Sequence, residues 1–127
     1  MAERLFTVAE ASTLLPTLRP LLESLRDLGR RLAQERSAGS LQALRGGNGG
    51  GEAARSVAAS TARMAEVLEE IEAHGVVVKD PRAGLIDFPA VHRGAEIYLC
   101  WRLEEEDLAW WHPRDTGFAG RRSIDWT

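Results

Sequence analysis

The chain has 127 residues, 44% of them apolar and 28% charged, and a net charge of -3 at neutral pH. These values fit one globular domain with a modest core, exclude a disordered chain, and provide no basic field for nucleic acid. One cysteine, Cys100, excludes an internal disulfide, and with no apolar leader at the N-terminus and no run of membrane length a soluble cytoplasmic protein is expected.

The chain changes character near residue 75. Before it, leucine and alanine recur with helical period. After it, apolar residues alternate and seven of the eight aromatics appear. The single domain 1–127 therefore reads as a helical hairpin (1–75) followed by a β-meander and tail (76–127), an α+β fold of three or four antiparallel strands.

Thr7-Val-Ala-Glu10 has capping-box spacing with Phe6 at the staple position, so a helix should begin near Val8. Pro16 and Pro20 predict a short first segment and a kink or restart near Pro16. Leu14, Leu18, Leu21, Leu25, Leu28 and Leu32 then recur at alternating spacings of four and three, and Leu15 and Leu22 widen that seam. Gly46–Gly51 reads as a flexible tip. It lacks the strand before it and the Lys-Ser/Thr after it that a phosphate loop needs. Val57, Thr61, Met64, Leu68 and Ile71 mark a second helix, stopped by Gly75. The first helix is slightly basic and the second acidic. Arg19 and Arg26 are expected opposite Glu66–Glu72, and Asp27 near Arg63.

Four strands follow: 76–80, 85–91, 96–103 and 108–112. A two-residue turn at Arg93-Gly94 pairs Ala90 with Ile97, Phe88 with Leu99 and Ile86 with Trp101. Pairing Leu103 with Leu108 sets Trp101 against Trp110 and Leu99 against His112, all on the apolar face that receives the helices. The other face carries Val78, Asp87, Tyr98, Cys100 and Trp111, and the tail with Phe118 and Trp126 is its expected cover.

Several residues could carry chemistry. Asp87 lies in an apolar strand across from Cys100 and reads as a buried acid, a metal ligand or a structural partner of Arg102 or Arg121. His112 could be a base or ligand, or a satisfied histidine at a strand end. Cys100 lacks a second cysteine or histidine at metal-ligand spacing and reads as a small core residue. Glu66, Glu70 and His74 share a helix stripe that is best read as solvated. Gly117–Arg122 could bring glycine amides and two arginines around an anion, and a glycine-punctuated surface tail explains it as well.

Phe6-Thr-Val-Ala-Glu-Ala, Leu14-Leu-Pro, Val78-Lys-Asp, Gly84-Leu-Ile-Asp-Phe-Pro89, Leu99-Cys-Trp101, Trp111-His112 and Gly117-Phe-Ala-Gly-Arg121 together resemble the uncharacterised bacterial family catalogued as domain of unknown function 2203. The resemblance implies no activity, cofactor or catalytic residues. Its motifs fall on Asp87, Trp101, His112 and Arg121, which become the candidate binding residues, with no metal-ligand set among them. Two functions fit. One is a non-enzymatic interaction or regulatory protein, a homodimer formed through hairpin leucines such as Leu15 and Leu22. The other is a small-molecule, anion or metal-binding protein, or an enzyme, with a pocket near Asp87, His112 and Arg121. Neither nucleic acid nor membrane is an expected partner.

Overall fold

The computed structural model describes residues 3–44 and 50–126, with the backbone alone at 40–44 and 50. Two helices, α1 (Val8–Leu44) and α2 (Gly50–Glu72), precede five strands: β1 (Val77–Asp80), β2 (Leu85–His92), β3 (Ala95–Arg102), β4 (Trp110–Pro113) and β5 (Arg122–Ser123). The strands form one antiparallel sheet in chain order, and the hairpin packs on one face of it. Most of the glycine tip read at 46–51 lies outside the described residues. Among the described residues no helix is long and apolar enough to cross a membrane.

The capping box forms as its spacing predicts. The Thr7 amide donates to Glu10 Oε1 at 2.9 Å, and the Glu10 amide donates to Thr7 Oγ1 at 3.1 Å. The predicted restart at Pro16 is absent, because α1 runs unbroken through both prolines. Pro16 and Pro20 lie on the exposed side of the helix, where water can take the carbonyls they leave without a donor.

Leu15, Leu18, Leu22 and Leu25 are buried against the sheet, each contributing about 1.5–3 kcal/mol on transfer from water. The hairpin outruns its support. α1, of 37 residues, is about 55 Å long, and β2, of eight, about 26 Å. The half-covered leucines of α1 are Leu14, Leu21, Leu28 and Leu32, of which the last two lie on the overhang, whereas Leu15 and Leu22 are covered by the protein's own sheet.

None of the charge pairs expected between the helices forms an ion pair, although Asp27 and Arg63 border one groove. Arg19 leaves the hairpin and donates to the Leu103 and Glu105 carbonyls, while Arg26 and Arg30 pair with Asp27 along α1, and Arg63 with Glu66 along α2. Neighbours three or four apart on one helix are closer than partners across it. A side-chain link that does join the helices is Ser60 to Glu35, at 3.0 Å.

The β2–β3 register is the one the turn dictates: Ala90 opposite Ile97, Phe88 opposite Leu99 and Ile86 opposite Trp101. Arg93 and Gly94 both have positive φ, 53° and 77°, as a type I′ turn requires. At the other end of β2, Gly84 admits the loop after β3. A Cβ there would sit 2.6 Å from Leu103 Cβ.

The β3–β4 register differs from the expected one by a single residue. Cys100 faces Trp110, Leu99 faces Trp111 and Tyr98 faces His112. The connection is longer than the expected turn because residues 103–109 form a loop with Leu103 and Leu108 both tucked into the core. The slip exchanges the faces of β4. Trp111 joins the inner side and His112 the outer. Val78, opposite Ile86, likewise packs on the inner side. The tail is divided: Phe118 lies by the outer face, whereas Trp126 stacks on His92 at 3.7 Å and meets Trp111 on the inner side. The added strand β5 causes this division, since it pairs with β4 and carries the chain around that edge.

Candidate functional site

The outer face of the sheet holds the concentrated polar chemistry. Pairing of β2 with β3 sets Asp87 across from Cys100, and the β3–β4 register places His112 one row away, beside Tyr98. Asp87 and His112 therefore meet over β3, with His112 Nε2 3.1 Å from Asp87 Oδ2. Both residues are 1% exposed and Cys100 is fully buried. Donor atoms of the three lie within 4.8 Å of one another.

The hydrogen bonding of His112 fixes its orientation. Nδ1 lies 2.7 Å from the Pro113 carbonyl oxygen. A carbonyl can only accept, so Nδ1 carries a proton and Nε2 is aimed at Asp87. The other carboxylate oxygen, Asp87 Oδ1, is buried and has no hydrogen-bond partner among the described residues. Burial and then the Asp87 charge push the Cys100 thiol up to about 12. Cys100 by itself is thus a protonated thiol, unsuited to act as a nucleophile.

Arg121 covers this face without pairing to Asp87. Its guanidinium makes a two-pronged bond to Glu105, at 2.6 and 2.9 Å, and donates to the Cys100 carbonyl at 3.2 Å. It also lies over the rings of Phe118 and Trp110. Glu105 accepts from the Arg102 amide as well, at 2.7 Å, so one carboxylate ties the 103–109 loop to the tail. On the other side of His112 stands Tyr98, its ring capped by Lys79 and Arg114.

Of the four sequence candidates, Asp87 and His112 are joined directly. Arg121 lies above them, engaged elsewhere. Trp101 is on the opposite face, fully buried, its indole N–H donating to the Glu105 carbonyl and its ring beneath Arg19. Two residues that matter were not singled out as site residues. Cys100 enters through the sheet register rather than any spacing along the chain. Glu105 lies in the acidic run 104–107, where nothing in the sequence separates it from its neighbours.

No curated protein matches the chain, and no solved structure does. The match is to a family model: residues 4–124 fit the one described as an uncharacterized conserved protein, DUF2203, and the chain belongs to that family.

Proposed function

We propose that the protein is a small non-enzymatic interaction or regulatory protein that self-associates through the overhanging half of its helical hairpin. The observation that carries this is a groove of about 500 Å³ beside α1, rimmed by Arg26, Arg30, Arg36 and Arg82 over a floor that includes Leu32 and Met64. Arg36 and Arg82 have no ion pair among the described residues. The complement is on the same chain. Glu66, Glu69 and Glu70 are exposed along α2, so a second copy can lay an acidic helix face against the basic rim. Exposed ion pairs are worth only about 0.2–1 kcal/mol each. They set orientation, and the half-covered Leu32 and Met64 supply the apolar contact.

The sealed outer face favours the same reading. Asp87, Cys100 and His112 are buried away from solvent, and Arg121 already holds a carboxylate.

Sedimentation velocity at rising concentration tests the proposal. A dimer is expected at high micromolar protein and low salt, dissociating as salt rises. Arg26→Glu with Arg30→Glu should give a monomer. Mixing that variant with a Glu66→Lys, Glu70→Lys chain should restore association. A wild-type monomer at every concentration overturns the proposal.

A further inference from the structure

We propose that Asp87, Cys100 and His112 form a buried binding site for one borderline-soft divalent transition metal, of the zinc(II) class. Three observations carry it. The donor atoms converge within 4.8 Å from two neighbouring rows of the sheet, on strands whose pairing fixes them. His112 is already oriented as a ligand, since Nδ1–H donates to the Pro113 carbonyl and leaves Nε2 aimed at the cluster. That outer hydrogen bond is the usual support of a metal-bound histidine. Asp87 Oδ1, buried and without a hydrogen-bond partner among the described residues, is an acceptor that a cation would satisfy.

The donor set selects the class of ion. A thiolate, an imidazole and a carboxylate suit zinc or cobalt, whereas magnesium and calcium prefer all-oxygen shells. Charge balances as well. A dication with the Asp87 carboxylate and a Cys100 thiolate sums to zero, as a low-dielectric interior favours, the thiol proton and the proton shared by His112 Nε2 and Asp87 Oδ2 both leaving to solvent. Arg121 above the site is neutralised by Glu105 and does not repel the ion at full strength. Three protein ligands leave a fourth position for Asp87 Oδ1 or a water.

The test uses the full chain without a histidine tag, expressed with Co²⁺ or Zn²⁺ in the medium and purified without chelator. One metal per chain is expected. The cobalt protein should show a thiolate-to-cobalt charge-transfer band and the intense d–d bands of a tetrahedral centre. Cys100 is the only thiol, so that band identifies the site even if variants do not fold. Cys100→Ser and His112→Gln, where folded, should each lose about tenfold or more of the metal affinity, at least the loss seen when supporting residues are removed. Wild-type protein that carries no metal, or that carries cobalt without the thiolate band, overturns the proposal. So does unchanged occupancy in Cys100→Ser.

Discussion

The two faces of the sheet share one backbone and each has a buried centre, but the centres are held in different ways. The inner face, built on Ile86, Phe88, Ala90, Ile97, Leu99 and Trp101, is specified by apolar size and shape. The outer face holds Asp87, Cys100 and His112 at the same depth, and polar groups at that depth must find partners. Burial is therefore no guide to chemistry here. One side is a packed core, and the other is a polar cluster kept dry by Arg121, Tyr98 and the tail.

The largest effect should come from opening that contrast chemically. Cys100 has no exposed surface, so alkylation in metal-free buffer should wait for global unfolding and run orders of magnitude slower than for a free cysteine. Mass spectrometry of iodoacetamide-treated protein measures it. Rapid labelling under native conditions would mean that the polar cluster is open to solvent.

On the inner side, Trp101→Ala should cost about 3–5 kcal/mol in urea unfolding, since it empties the largest buried side chain and frees the Glu105 carbonyl. A loss below about 1 kcal/mol would show that the inner face is not the packed core, given the usual cost of such truncations.

A double-mutant cycle separates the arginine's real partner from the one the sequence suggested. Arg121→Ala and Glu105→Gln should couple by about 0.5–3 kcal/mol, while Arg121→Ala and Asp87→Asn should be nearly additive. The reverse pattern would place Arg121 on Asp87.

The smallest effect lies at the rim of the hairpin. Thr7→Ala should cost about 0.5–2 kcal/mol by removing the helix cap. The bonds from the Thr7 backbone and hydroxyl hold the Glu10 carboxyl below its ordinary 4.5. A carboxyl lowered in the folded state stabilises above its unfolded value, and that contribution fades as pH falls through the folded one. Thermal melts from pH 7 downward should show the difference between wild type and Glu10→Gln shrinking on acidification.

Much of this molecule could be read in the sequence. The cap at Thr7, the leucine seam, the stop at Gly75 and the β2–β3 register each follow from local chemistry that the structure repeats. Between β3 and β4 that local information is missing. Trp110 and Trp111 are adjacent aromatics, so apolar alternation fits either register, and the loop at 103–109 has no glycine or proline to fix its length. Satisfaction of polar groups could have decided it, since only the observed register brings His112 to Asp87. The partner of Arg121 was beyond reach, as Glu105 differs from Glu104 and Glu106 only in the path the folded loop takes.

The β3–β4 register puts His112 on the outer face with Asp87 and Cys100. Cross-strand proton–proton Overhauser contacts in a labelled sample read it directly. Backbone contacts are expected between Tyr98 and His112 and between Cys100 and Trp110. Contacts pairing Leu99 with His112 and Trp101 with Trp110 would instead turn His112 into the core, separate it from Asp87 and dismantle the outer-face cluster.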